Sequence, residues 1–329
     1  MKKFTKTYNE LITIPNLLLV WEEFLLGKKK RVDVAIFQSK LIDNIFCLYH
    51  DLKERKYRHG SYQSFNISDP KPRNIHKATV YDRLLHHLLY QETYQYFDQY
   101  FINDSYSCRL GKGTHRAIYR LSTFAKKASF NNRKTVWVFK GDIRKFFASI
   151  DHGILKSILA RYIEDQDLLY LFGEVIDSFN TSGKFGVGLP LGNLTSQLLV
   201  NIYMNEFDQF VKRDLKIKYY IRYADDFVIL GECREELISL RLRLEEFLSE
   251  HLKLFLHPEK TFLKTLASGV DFLGWVQFFE YKVLRTTTKR RMLKRIEQSN
   301  KSATLASYAA MLKHVHAYNL SKRLCLLDR

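Results

Sequence analysis

The chain has 329 residues, 46% hydrophobic and 27% charged, with 5 Pro and 14 Gly. This is the mix of a folded protein with room for a buried core, not of a disordered or fibrous one. Its 53 Lys and Arg against 35 Asp and Glu give a formal net charge of +18, which points to a polyanionic partner, nucleic acid before a membrane surface. The four cysteines (Cys47, Cys108, Cys233, Cys325) are scattered, show no metal spacing and fit a reducing cytoplasm. No stretch reaches 18 uninterrupted apolar residues, so secreted disulfide scaffolds, membrane spans and zinc-finger readers are disfavoured.

Residues 17–26 read as a helix ending at Gly27, followed by the basic run Lys28-Lys29-Lys30-Arg31, a phosphate binder or a solvated loop. Residues 34–53 carry Ile36, Phe37, Leu41, Ile45 and Leu48 at helical spacing. Residues 57–67 alternate like a strand, until Ser68-Asp69-Pro70-Lys71-Pro72 breaks them. A helix is expected over 80–100, a buried strand at 136–139, and a helix over 152–163 capped by Asp151. Residues 194–215 read as one long helix, 219–230 as an apolar hairpin, and 235–252 as a charged amphipathic helix. The tail after Trp275 reads as basic and mostly helical. Helices and strands mix without regular alternation, which predicts an α+β fold.

The hairpin's centre is Tyr223-Ala224-Asp225-Asp226. Neighbouring side chains on a straight strand face opposite ways, but at a tight turn both acids can face one cleft. Two carboxylates crowded among apolar strands repel and lose hydration; a divalent cation removes that penalty, and oxygen ligands suit Mg²⁺. The alternative is a plain polar turn. Val136-Trp137-Val138-Phe139-Lys140-Gly141-Asp142 reads as a strand ending in a third acid, which can complete a site for two Mg²⁺ ions.

Three strings in order, Gly141-Asp142-Ile143-Arg144-Lys145-Phe146-Phe147, Gly188-Leu189-Pro190-Leu191-Gly192-Asn193-Leu194-Thr195-Ser196-Gln197 and Tyr223-Ala224-Asp225-Asp226, resemble motifs A, B and C of reverse transcriptases. The resemblance begins at Pro70-Lys71-Pro72-Arg73 and Asp82-Arg83. It continues through His257-Pro258-Glu259-Lys260-Thr261 (motif D) and Phe272-Leu273-Gly274-Trp275 (motif E). It implies a right-hand polymerase: an N-terminal helical extension over 1–67, fingers and palm over 68–274, and a basic helical thumb over 275–329. It further implies that Asp142, Asp225 and Asp226 hold the metals and that Lys260 serves the leaving pyrophosphate. Arg73 and Lys71 would meet the dNTP triphosphate, and Phe147 would exclude a ribose 2′-hydroxyl. Lys289, Arg290, Arg291, Lys294 and Arg295, with Lys282 and Arg285, would lie on the template–primer backbone.

Ser196-Gln197, where most reverse transcriptases resembling group II intron enzymes carry Ser-Pro, is similar to the diversity-generating retroelement enzymes. So is Leu110-Gly111-Lys112-Gly113-Thr114-His115. That resemblance implies copying of a template-repeat RNA into cDNA with errors at adenines, with a small basic oligomer, the accessory variability determinant, as partner. A retron-like or antiviral enzyme, a catalytically silent RNA-binding scaffold, and a DNA polymerase with a similar palm are the other readings. Residues 1–67 are assigned to RNA or partner contact.

Overall fold

A computed structural model describes residues 2–68, 72–298 and 302–312. Lys71 of the expected triphosphate contact and Cys325 lie outside the described residues. In chain order the elements are α1 (Tyr8–Leu11), α2 (Ile14–Leu25), α3 (Val32–Ser39), α4 (Leu41–Lys53), β1 (Gln63–Ile67), β2 (Arg73–Lys77), α5 (Val80–Asp98) and α6 (Thr114–Ala128). Then come β3 (Trp137–Asp142), α7 (His152–Tyr162), α8 (Gln166–Asp177), α9 (Leu194–Gln209), β4 (Tyr220–Tyr223), β5 (Asp226–Gly231) and α10 (Arg234–Leu252). The chain continues with β6 (Phe262–Thr265), β7 (Val270–Phe272), β8 (Trp275–Gln277), β9 (Lys282–Leu284), α11 (Thr286–Gln298) and α12 (Ser302–Leu312). The α+β expectation holds. Among the described residues no helix is long and apolar enough to cross a membrane.

The chain forms two compact units, each assembled from separate segments. The first comprises Met1–Ile102, Ile143–Asp214 and Glu246–Phe255. Its spine is α5, which packs against α2 and α9. Leu84, Leu85, Leu88 and Leu89 of α5 are fully buried, as are Leu17 of α2 and Leu199 and Tyr203 of α9. Asp82 ties the entry of α5 together: its carboxylate accepts from the Tyr57 and Thr79 hydroxyls (2.8 and 2.6 Å) and the Gly60 amide (3.2 Å). Such a buried carboxylate is tolerable because each of its oxygens finds a donor.

The second unit comprises Asn103–Asp142, Leu215–Glu245 and Leu256–Arg329. It holds an antiparallel four-stranded sheet in the order β4-β5-β3-β6. One face of the sheet (Val138, Ile221, Val228, Leu230) packs on the apolar side of α6 (Ala117, Leu121, Phe124, Ala125). A three-stranded sheet, β7-β8-β9, follows. Its Trp275 and Leu284 pack with Met292 and Ile296 of α11. The β7–β8 hairpin closes on Leu273 and Gly274, both at positive φ (+54° and +88°), the two-residue turn whose twist matches paired strands.

Four expectations change in detail. The helix over 34–53 breaks at Lys40 (φ −125°, ψ 38°). There the side chains of Ser39 and Asn44 donate to the carbonyls of Ile36 and Phe37, a local substitute for continued helix. The strand expected over 57–67 begins at Gln63, because Tyr57 and Tyr62 turn inward to Asp82 and Ser178. The helix over 194–215 ends at Gln209 and passes into a π turn at Phe210–Asp214. The tail is helical only from Thr286, since β8 and β9 come first.

Candidate active site

The acids meet by strand register. Asp142 ends β3 and Asp226 opens β5, and the two are direct cross-strand partners. Asp226 also pairs with Tyr223 of β4, so Ala224 and Asp225 form a two-residue hairpin loop. Ala224 lies in the left-handed region (φ +54°), a strained conformation for a residue with a Cβ. The carboxyls of Asp225 and Asp226 are pushed upward, first by burial; Asp225 reaches about 6, with Asp226 and Asp142 adding repulsion.

Two lysines answer these charges. Lys260 donates to Asp142 Oδ1 at 2.8 Å, and Lys140 stands 3.1 Å from Asp226 Oδ1, close enough for an ion pair but misaligned for a hydrogen bond. That oxygen is buried with no hydrogen-bond partner. The Lys260 side chain is 44% exposed and can swing away, whereas that of Lys140, at 7%, is walled in on β3. The Lys260 turn is fixed to the acid strand, since the His257 amide donates to the Asp142 carbonyl at 2.7 Å.

Among the described residues, no group of three or more His, Cys, Asp or Glu has the form of a ready-made metal cage. The donor chemistry nevertheless fits a hard divalent cation: three neighbouring carboxylates, one with a buried oxygen that lacks a hydrogen bond, would offer an all-oxygen ligand set. Asp142, Asp225 and Asp226 would hold it.

Sequence reasoning missed Lys140 and Arg222. Arg222 is fully buried on β4 and donates to the carbonyl of Ala224 and to Ser105 Oγ, each at 3.0 Å. Its own amide and carbonyl bond to Asp104 and Tyr106. The guanidinium thereby fastens the strained loop that carries Asp225. The available signal was a lone cation inside each apolar strand, two or three residues before an acid. Gly141 is a further positioning feature, because a Cβ there would sit 2.3 Å from the Phe227 ring across the sheet.

Arg73, Phe147 and Gln197, also singled out in the sequence, lie in the first unit. Arg73 is exposed at the start of β2. Phe146 is buried while Phe147 is half-exposed, so one ring of the pair is core and the other is available. The 188–197 segment joins both regions: Leu189 donates to the Phe147 carbonyl (2.8 Å) and His76 of β2 to the Leu191 carbonyl (2.9 Å). Gly188 and Gly192 adopt φ +112° and +107°. Asn193 stands at the N-cap of α9, but its side chain donates to the His76 carbonyl (2.8 Å) and does not cap. Gln197 follows, half-buried, in the first turns of α9. In the second unit, α11 turns Lys289, Arg290, Lys294 and Arg295 outward, with Arg291 half-buried.

Residues 67–277 match the family described as reverse transcriptase (RNA-dependent DNA polymerase). The chain belongs to the reverse transcriptase family. This reverse transcriptase is 25% identical to protein YkfC of Escherichia coli (strain K12), over 85% of this chain and 82% of YkfC. It is 23% identical to the group II intron-encoded protein LtrA of Lactococcus lactis subsp. cremoris, over 67% of this chain and 46% of LtrA. It therefore spans under half of LtrA. The structure of apo telomerase from Candida Tropicalis truncated from the C-terminal domain superposes with a TM-score of 0.53 at 13% identity, covering 70% of this chain and 55% of that one. At that identity the likeness concerns the fold alone, the right-hand polymerase architecture. The reverse transcriptase family makes the chain an RNA-directed DNA polymerase.

Proposed function

We propose that the chain extends a DNA primer on an RNA template at Asp142, Asp225 and Asp226. The observation that carries this is the cross-strand pairing of Asp142 with Asp226 beside the Asp225 loop, which crowds three carboxylates at one end of the palm sheet. Divalent cations held there, two Mg²⁺ ions on this reading, would stabilise the primer alkoxide and the leaving pyrophosphate. Lys260, exposed and paired with Asp142, would donate to the pyrophosphate. Arg73 and, outside the described residues, Lys71 would bind the dNTP triphosphate. Phe147 would exclude ribonucleotides, and the outward cations of α11 would hold the template–primer backbone.

Within this activity we assign the diversity-generating reading: the enzyme copies a template-repeat RNA with errors at adenines, together with a small basic accessory protein. Its support is the 188–197 string with Gln197 early in α9, where an amide side chain replaces a rigid proline. The test is sequencing of cDNA made by the purified enzyme in Mg²⁺ with its native RNA and accessory protein. Errors concentrated opposite template adenines, reduced in Gln197→Pro, are expected. Faithful cDNA would reject the diversity-generating reading and leave the polymerase intact.

A further inference from the structure

The two lysines beside the acids differ in freedom. Lys140 stands on β3, which lies between β5 and β6. Two residues separate it from Asp142, so both side chains leave the same face of the sheet. Its direct partners are Val228 of β5 and Phe262 of β6. Asp226 is two residues before Val228, and the Lys140 ammonium reaches it along the diagonal between the strands, 3.1 Å from Oδ1. The centre of the Phe262 ring lies 6.0 Å from the same ammonium. Val138, the previous β3 residue on this face, belongs to one apolar core with Leu121, Val228 and Val270. The ammonium is thus held under the acids, while Lys260 is attached to them from the solvent side.

A buried ammonium that gave up its carboxylate would stand uncompensated, so Lys140 stays with Asp226 whether or not an ion is bound. Oδ1 of Asp226 is itself buried, and an incoming cation could share it only by meeting the ammonium at close range. Asp226 therefore has one oxygen, Oδ2, to give. That restriction weighs unequally on different ions. Ca²⁺ takes six to eight oxygens and uses both oxygens of a carboxylate to reach that number. Mg²⁺ is smaller, octahedral and keeps several waters, so one oxygen from each acid suffices.

We propose that Lys140 is a positioning residue that makes the acids select Mg²⁺ over Ca²⁺, by confining Asp226 to a single ion-facing oxygen. The inference rests on the reading that Asp142, Asp225 and Asp226 hold the ions, and adds how they choose among them. The experiment follows the melting temperature of the nucleotide-free enzyme against Mg²⁺ alone and against Ca²⁺ alone, which gives an affinity for each ion. Only the shift lost in Asp142→Asn combined with Asp225→Asn is counted. Lys140→Met keeps the length of the side chain and removes its charge. Both affinities should rise. The ratio of Ca²⁺ to Mg²⁺ affinity should rise on the order of tenfold, as Asp226 gains a second ligand oxygen. Lys260→Met removes an equal charge from a movable side chain and should leave the ratio unchanged. A ratio unchanged in Lys140→Met, or raised as much in Lys260→Met, would overturn the proposal. Should Lys140→Met not fold, wild type still decides: tighter binding of Mg²⁺ supports the proposal, and tighter binding of Ca²⁺ overturns it. An acid-dependent shift with an unchanged ratio sinks the role of Lys140 alone, whereas no acid-dependent shift with either ion sinks the metal reading beneath it.

Discussion

The acid hairpin of the second unit and the 188–197 turn of the first carry the two most distinctive sequence strings, and they are held in place differently. At the hairpin, strand register sets the positions, and the opposing energy is electrostatic: buried like charges, raised carboxyls and two lysines in answer. At the turn the opposing energy is steric. Gly188 and Gly192 adopt backbone angles that a Cβ resists, and a Cβ on Gly188 would stand 2.2 Å from Thr181 Oγ1. A site built on charge can lose its chemistry and keep its fold. A site built on backbone shape loses both together.

The sharpest separation comes from Asp225→Asn, which keeps shape and removes charge. Primer extension should fall by at least about 10²–10³-fold, the scale of losing one electrostatic group at a reacting centre. Circular dichroism and the melting transition should show an intact fold. An active Asp225→Asn enzyme would move the chemistry away from this hairpin.

Next in size is Arg222→Met, which tests whether the hairpin also depends on shape. Removing the guanidinium leaves the Ala224 carbonyl and Ser105 Oγ without these bonds, at about 1–3 kcal/mol for each buried group left unsatisfied. The Asp225 loop then relaxes, and a shift of about 1 Å at reacting groups costs on the order of 10²-fold. The expected signature is a fall in kcat larger than any rise in KM for dNTP. A change in KM alone would mean that Arg222 serves substrate binding, not loop position.

Gly188→Ala probes the other region. Strain at φ +112° and the clash with Thr181 should destabilise the protein by about 1–3 kcal/mol, read in chemical denaturation. Activity per folded molecule should fall too, because Gly188 leads directly into the segment bonded to Phe147 and β2. Truncating Thr181 should rescue only part of the loss, since the backbone angle remains.

These contrasts also explain what was legible in the sequence. The hairpin could be read because alternation and a turn string describe strands, and register then follows from the turn. Asp142, Asp226 and Lys260 lie side by side, and Asp151 caps α7 through the Ile154 amide (2.9 Å). Lys140 and Arg222 could not be read, because composition marks a charged residue as exposed, and its burial is decided by strands distant in sequence. The break at Lys40 and the missing side-chain cap at Asn193 have the same origin: a side chain finds a better partner than local propensity supplies. The β8–β9 strands were hidden by the basic composition of the tail, though the turn at Leu273-Gly274 carried a hairpin signal.

The smallest expected effect is on stability, and its sign is opposite to the effect on activity. Asp225 is lifted to about 6 by burial and by its acidic neighbours. A carboxyl whose folded value exceeds its unfolded one favours folding in its protonated form. That contribution is complete below the unfolded value of about 4 and is lost as pH rises through about 6. Above that range the ionised Asp225 opposes folding of the metal-free enzyme. Asparagine at this position carries no such charge, so metal-free Asp225→Asn should melt a few degrees above wild type at pH 7. The difference should vanish near pH 4. Mg²⁺ should narrow it at pH 7 by stabilising wild type more than the variant, because the cation binds the ionised carboxylates of the folded state. Equal melting at pH 7 in chelator would show that the Asp225 charge is already relieved by Lys140 and Lys260, and that the hairpin, like the turn, is governed by shape.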